Sequence, residues 1–180
     1  RIQLYIPKNL VSYVKAVSLP HNPQIGCALS HMKALSDATK NEYDTILILE
    51  DDFTFKVNRD VLFKKLDILT NEFPNWDVCM LSSINYKHNQ TRNSEIKKVI
   101  KADTTAGYLI RKRAIPLLFN IFYQCTKPKM EYCTNQSAID VAWQVLQPKL
   151  NWYIFTPNLG YQSEEFTSDI EVFRNVQYKI

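Results

Sequence analysis

Apolar residues recur along the chain with two different spacings. Over residues 24–40 they return every three or four positions, which places them on one face of a helix. Residues 45–49 form a continuous, β-branched and leucine-rich run bounded by charges, which is typical of a strand covered on both faces. The same two patterns predict further helices over 61–73, 113–123 and 137–146, and further strands over 76–81, 107–110 and 152–155.

The remaining segments lack a clear period. Residues 85–103 are polar and charged, so we expect a surface loop with a short strand near Val99. Residues 125–135 are irregular and the tail from Gly160 is polar. Strands that alternate with helices favour an α/β fold, in which helices sandwich a mixed, mostly parallel sheet. The three tryptophans are expected in its core: Trp76, Trp143 and Trp152.

Length and apolar content indicate a single globular domain over the 180 residues. No apolar run is long enough to predict a membrane span. The chain starts almost inside an apolar alternation that ends at Pro7, which is consistent with an edge strand or docked terminus, and with a piece of a longer protein.

The charge is mildly positive, with 22 basic and 18 acidic residues. It is spread along the chain, which suits an anionic substrate but does not indicate a nucleic-acid partner. The densest basic cluster (Lys97, Lys98 and Lys101) is predicted to be a solvated face. With three glycines and no phosphate-binding loop, a phosphate would have to be held by a metal, by side chains or by a helix N-terminus.

Four cysteines do not make a disulfide scaffold. Cys27 and Cys79 lie in apolar segments and are predicted to be reduced core residues, whereas Cys125 and Cys133 flank a loop and could pair. This usage favours a reducing cytoplasm, and the Lys-, Asn- and Ile-rich composition is typical of an AT-rich bacterial or viral genome. The lumen of the endoplasmic reticulum is the alternative if the chain belongs to a longer protein.

Three consecutive carboxylates, Glu50, Asp51 and Asp52, follow the first predicted strand. Ligands of open α/β sheets bind outside the carboxyl ends of the strands, and hard divalent cations prefer carboxylate oxygens. In an extended segment Glu50 and Asp52 point to one side and Asp51 to the other. The pair could therefore hold a metal, although a solvated loop start explains the triplet about equally well.

Five short segments occur in a recognisable order along the chain. They are GCALSH at 26–31, ILILEDD at 46–52, TAGYLIRKRA at 105–114, Ile139-Asp140, and Pro157 with Gln162 and the triplet 168–170. Each segment is short, but in this order they resemble glycosyltransferase family 25, which includes bacterial lipopolysaccharide-modifying galactosyltransferases and procollagen galactosyltransferases.

The resemblance implies a GT-A fold and transfer of a galactose- or glucose-like sugar from a UDP-sugar to a glycan or glycoprotein hydroxyl, with inversion and with Mn²⁺ or Mg²⁺. It also implies a role for each matching position. The metal ligands would be Glu50 and Asp52, the general base Asp140, the acceptor contacts Thr105 and Tyr108, and the donor contacts Ser30, His31, Asp51, Gln162, Ser168 and Asp169.

Simpler explanations compete for several of these residues. His31 could be a satisfied core histidine, Tyr108 a core aromatic, and Asp140 a carboxylate favoured by the dipole at the start of a helix. The segment that holds Gln162, Ser168 and Asp169 could close over the donor as a lid or be an ordinary polar tail.

The sequence also departs from the family. The strand with an Asn-Leu pair and arginines that usually opens these proteins is not found, so it is either missing or altered within residues 1–15. Gly107 stands where Ala is common, and Val141 where His is frequent. Two rival functions therefore remain: an inactive glycosyltransferase-like binding module, and another metal-dependent nucleotidyl- or phosphotransferase.

Overall fold

The computed structural model describes residues 4–127 and 138–163. Four α-helices lie within these ranges: α1 (Pro23–Lys40), α2 (Arg59–Glu72), α3 (Ile115–Cys125) and α4 (Ile139–Ala142). Short 3-10 turns occur at Lys8–Leu10, Lys112–Ala114 and Trp143–Val145. The strands are β1 (Thr45–Leu49), β2 (Phe53–Phe55), β3 (Val78–Met80), β4 (Tyr86–Asn89), β5 (Ile96–Ala102), β6 (Gly107–Arg111), β7 (Trp152–Phe155) and β8 (Gly160–Gln162).

Six strands form one mixed sheet in the order β1-β6-β3-β7-β5-β4. The fold is thus α/β as expected, but the prediction of a mostly parallel sheet is wrong. Only β3 and β7 pair in parallel, and the other four pairings are antiparallel. The cause is that β6 lies between β1 and β3, which run in the same direction without touching. The strand pattern predicts where strands occur, whereas distant segments decide which strands pair.

Helices cover both faces of the sheet, as predicted. On one face α1, α3 and α4 pack on a core that contains Leu35, Phe122 and Trp143. On the other face α2 packs through Leu62 and Leu69 on a smaller core. Alternate strand residues enter opposite cores because side chains of a strand point to alternating faces. All three tryptophans are buried, as expected: Trp76, Trp143 and Trp152.

Most of the segment expected to be a surface loop is instead part of the sheet, whereas the short strand expected near Val99 is present as β5. β4 and β5 form an antiparallel pair at its edge, and β5 also pairs with β7. Lys97 is therefore buried rather than solvated, and its ammonium group donates to Gln90 Oε1. Lys98 is half-buried and donates to the Leu150 carbonyl oxygen, so only Lys101 of the basic cluster is exposed as predicted.

The polar tail contains a strand that the sequence pattern did not reveal. β8 pairs antiparallel with β2 in a second, two-stranded sheet, which brings Gln162 opposite Phe53.

The Phe53 ring fills the space beside Gly107 and Gly160, where a Cβ atom would collide with it. At Gly107 that Cβ would lie 2.6 Å from Phe53 Cε2. This close approach explains why Gly, rather than the Ala common in the family, stands at position 107.

Candidate active site

The acidic triplet lies in a tight turn at the end of β1. The Glu50 amide donates to the Ala106 carbonyl oxygen at 2.8 Å, which prolongs the pairing of β1 with β6 by one residue. The Phe53 amide then donates back to the Glu50 carbonyl oxygen at 3.1 Å, which closes the turn. The triplet is therefore not the extended segment that the alternation argument assumed. β1 is also an edge strand of half-buried residues, not a strand covered on both faces.

Glu50 is held by side chains from three separate parts of the chain. Its Oε1 accepts hydrogen bonds from His31 Nε2 at 3.1 Å and from Thr105 Oγ1 at 2.7 Å. Its Oε2 faces the amide nitrogen of Gln162 at 3.3 Å. α1 supplies His31, the loop before β6 supplies Thr105, and β8 supplies Gln162. The carboxylate is thus fixed in position from both sides.

These contacts determine the charge of Glu50. Burial raises its pKa, but the hydrogen bond and charge of His31 and the hydrogen bond of Thr105 together lower the pKa below its ordinary value. Glu50 is therefore ionised at neutral pH. Because a carboxylate can only accept, His31 Nε2 must carry the shared hydrogen.

Gln162 joins the side chains of Asp52 and Glu50. The Gln162 amide nitrogen lies 3.3 Å from Asp52 Oδ2, the same distance as from Glu50 Oε2. The pairing of β2 with β8 and a bond from the Ser163 amide to the Asp52 carbonyl oxygen at 2.8 Å place Gln162 there. Burial and the neighbouring charges of Glu50 and Asp51 raise the pKa of Asp52. The side chain of Asp51 is exposed beside the pair.

Asp140 is connected to the same cluster through Thr104. The Thr104 amide donates to Asp140 Oδ2 at 3.3 Å, and its hydroxyl donates to Gln162 Oε1 at 2.8 Å. Thr104 has a φ of 66°, an unfavourable conformation for a β-branched residue. Burial, followed by the charges of Asp103 and Glu50, raises the pKa of Asp140 although the Thr104 bond opposes the shift. Asp140 also lies in the first turn of α4, so the helix-start explanation is compatible with its position.

The other predicted contacts are placed as follows. Tyr108 is fully buried and its hydroxyl bonds His31 Nδ1 at 2.9 Å, so it packs in the core and does not line an open acceptor surface. His31 is itself buried with both ring nitrogens bonded, as a satisfied core histidine would be. Ser30 Oγ donates to the Gly26 carbonyl oxygen and accepts from the Val17 amide, so both of its hydrogen bonds are to the backbone. Ser168 and Asp169 lie outside the described residues, as does Cys133.

Sequence reasoning missed two residues of the cluster. Thr104 shows no signal beyond its position next to Thr105. Cys27 was expected only as a core residue, but it lies one helical turn before His31 and faces the same carboxylates. A spacing of four residues on a predicted helix could have indicated that Cys27 and His31 share a face.

The oxygens around Gln162 are suited to a divalent cation. Asp52 Oδ1 is buried and has no hydrogen-bond partner among the described residues, an arrangement that is costly unless something binds it. Within residues 4–127 and 138–163, the one hydrogen-bond contact of Glu50 Oε2 is the long one with Gln162. Carboxylate oxygens of this kind are the ligands that Mg²⁺ and Mn²⁺ prefer. The site therefore fits a hard metal ion held by Glu50 and Asp52.

Residues 12–135 match the model of glycosyltransferase family 25, described as an LPS biosynthesis protein family. The match covers more than half of the chain, and the chain belongs to this family of glycosyltransferases. It includes the acidic turn and the His31 helix, whereas Asp140 and Gln162 lie beyond it. No curated protein matches the chain. Within the described residues, no helix has both the length and the apolar character needed to cross a membrane.

Proposed function

We propose that this protein transfers a galactose- or glucose-like sugar from a UDP-sugar to a hydroxyl group of a glycan or glycoprotein, with inversion and with the help of Mn²⁺ or Mg²⁺. The single observation that supports this most is the convergence of Glu50 and Asp52 on one amide nitrogen of Gln162. Two carboxylates that face one donor can face one cation instead. The turn after a strand end is also where α/β proteins bind their ligands.

Glu50 Oε2 and Asp52 would hold the cation, which when bound would offset the negative charge that develops on the leaving diphosphate. The protein's own residues prepare this arrangement. His31 and Thr105 keep Glu50 ionised and oriented, and Gln162 holds the two carboxylates at a common distance. The exposed Asp51 can accept a hydrogen bond from a donor sugar hydroxyl. Ser168 and Asp169 remain proposed donor contacts from the segment that follows.

Asp140 is the proposed general base. In the reaction, the acceptor oxygen forms a bond to the anomeric carbon while the bond from that carbon to the diphosphate oxygen breaks. Asp140 takes the acceptor hydroxyl proton, and the departing UDP takes the electron pair of the broken bond. Its raised pKa makes Asp140 a stronger base than an ordinary aspartate. The Thr104 amide donates to Oδ2 and so orients the carboxylate that would take the proton.

The fold type, the acceptor and the cellular compartment are further parts of the proposal. The proposal includes a GT-A arrangement and an acceptor of the lipopolysaccharide type, of which the acceptor agrees with the family description, and a collagen-type acceptor is the alternative. The proposed compartment is a reducing cytoplasm, where thiols such as those of Cys27 and Cys79 stay free. The hydrogen bond between Thr104 and Gln162 is exposed to solvent. The UDP-sugar would enter on this side of the carboxylates.

The test is turnover of UDP-sugars with Mn²⁺ by Asp52→Asn and Glu50→Gln variants. Each substitution keeps the side-chain shape and removes a charge, so we expect the rate to fall by about 100-fold or more. Asp67→Asn, which neutralises an exposed aspartate on α2, is the matched control and should retain the wild-type rate. Wild-type rates in both site variants would disprove the proposed metal site.

Two further measurements test the remaining assignments. Asp140→Asn should lower the transfer rate while leaving the binding of UDP and Mn²⁺ intact, and a normal rate would favour the helix-start explanation. Calorimetry with UDP and Mn²⁺ should detect binding to the wild type. The absence of binding at millimolar concentrations would support the inactive-module alternative.

A further inference from the structure

Cys27 is a nucleophilic side chain that the proposed reaction does not use. It is half-buried on α1, one turn before His31. The Cys27 sulfur, a ring nitrogen of His31 and a carboxylate oxygen of Glu50 all lie within 4.8 Å of one another. The carboxylates of Glu50, Asp140 and Asp52 all lie close enough to the thiol to act on it electrostatically. The cluster therefore offers a cation one sulfur, one nitrogen and one oxygen ligand within a small volume.

We propose that Cys27, His31 and Glu50 form a second metal site, selective for a borderline-soft divalent cation of the Zn²⁺ type. It lies on the Oε1 side of Glu50, whereas the proposed Mn²⁺ or Mg²⁺ site lies on the Oε2 side. The donor set distinguishes the two sites. Sulfur and imidazole nitrogen select Zn²⁺, and carboxylate oxygens alone select Mg²⁺ or Mn²⁺.

The geometry requires only small movements. Tetrahedral Zn²⁺ ligands lie about 3.3 to 3.6 Å apart. His31 Nε2 and Glu50 Oε1 already lie 3.1 Å apart, so it is mainly the Cys27 sulfur that needs to approach, by about 1 Å. Cys27 and His31 are four residues apart on a regular helix, which fixes their relative position. Thiolate, carboxylate and neutral imidazole together balance the charge of the ion. A fourth position remains for water or another ligand.

The proton balance is simple and leaves His31 oriented. On binding, the Cys27 thiol releases its proton to solvent, and the proton on His31 Nε2 moves to Nδ1. The Tyr108 hydroxyl, which donates to Nδ1 before binding, turns its own hydrogen away, and Nδ1 then donates to the hydroxyl oxygen 2.9 Å away. Partners of this kind on the second ring nitrogen commonly orient metal-bound histidines.

A functional consequence rests on the proposed function. An ion on the Oε1 side of Glu50 repels a second cation on the Oε2 side and withdraws charge from the shared carboxylate. Zn²⁺ should therefore inhibit Mn²⁺-dependent sugar transfer. Cys27 would act as the ligand that makes the enzyme sensitive to zinc.

The binding test uses Co²⁺ as a spectroscopic probe of the Zn²⁺ site, in the complete chain kept reduced. The wild type should show the near-ultraviolet absorption of a cobalt–thiolate bond, and Zn²⁺ should abolish it by competition. Cys27→Ala should lose this band and bind Zn²⁺ at least about tenfold more weakly. Cys79→Ala, whose sulfur lies in the core on the other face of the sheet, is the matched control and should keep the band.

The proposal is overturned if the wild type shows no thiolate band, or if Cys27→Ala shows the same band as the wild type. Circular dichroism of Cys27→Ala checks its fold, and Cys27→Ser, which is nearly isosteric, replaces it if the alanine variant is unfolded. Inhibition by Zn²⁺ is measured separately as a ratio of rates for each variant. A normal thiolate band with no sugar transfer at all would refute the proposed function while leaving the zinc site in place.

Discussion

His31 donates from Nε2 to Glu50 Oε1 at 3.1 Å, and this bond joins the first helix to the turn after the first strand. The second ring nitrogen of His31 bonds the buried Tyr108 hydroxyl at 2.9 Å. Tyr108 belongs to β6, the strand paired with β1. His31 therefore fixes the Glu50 carboxylate, our proposed metal ligand, relative to the core.

His31→Ala should be considerably more destabilising than Tyr108→Phe. The alanine variant leaves a cavity and two buried groups without their partner, so we expect a loss of about 2–4 kcal/mol in the free energy of unfolding. The phenylalanine variant removes a single hydroxyl and should cost about 1 kcal/mol. Urea denaturation of both variants measures the difference. Equal losses would mean that the His31–Glu50 bond contributes little to stability.

The pH dependence of stability should report on Glu50. Its folded pKa is lowered from 4.5, so the ionised carboxylate stabilises the fold above that pH. This stabilisation is lost as the pH falls through the lowered pKa. His31→Ala removes the principal cause of the lowering, so the part of the stability that Glu50 loses on acidification below pH 4.5 should be smaller than in the wild type. The free energy of unfolding measured as a function of pH tests this expectation. Glu50→Gln should lack the pH-dependent contribution of the carboxylate, both in the wild type and in the His31→Ala variant.

Asp52→Asn should stabilise the protein at neutral pH although it abolishes the proposed activity. The folded pKa of Asp52 is raised, so the ionised form is less favourable in the folded state than in the unfolded chain. Removal of the charge relieves repulsion from Glu50, and we expect a gain of up to about 1 kcal/mol. The gain should shrink as the pH falls and Asp52 becomes protonated. Thermal unfolding without metal measures it, and a lower melting temperature would contradict the expectation.

Gly107→Ala should destabilise the fold because its Cβ would collide with the Phe53 ring. We expect a cost of about 1–3 kcal/mol, typical of overpacking. In the Phe53→Leu background the same substitution should cost less, because the ring edge is absent. Gly160→Ala should be relieved less by Phe53→Leu, since its Cβ would also lie 2.6 Å from the Thr54 carbonyl oxygen. A double-mutant cycle measures both couplings.

The apolar pattern of the sequence was sufficient to predict a helix where the helix is long and packs on one side. The helical spacing in α1 and α2 predicted both helices to within a few residues. The predicted helix over 137–146 is present only as the short α4 and a 3-10 turn. β5 was predicted only as a short strand near Val99, and β4 was missed, because their exposed positions carry lysines and asparagine and their burial alternates weakly. β2 and β8 are three residues each, too short for any period to appear.

The sequence by itself determined the α/β class and the helices on both faces, and it predicted the carboxylates at the end of β1 as the chemical centre. The tertiary structure alone decided that β6 separates β1 from β3, and that Gln162 and Thr104 join Glu50, Asp52 and Asp140 in one cluster. These contacts join residues up to 112 positions apart. Local propensity contains no information about such pairs, because they form only when the two cores and the β2–β8 pairing are complete. The same is true of Cys27, which the helix and β1 bring together with Glu50.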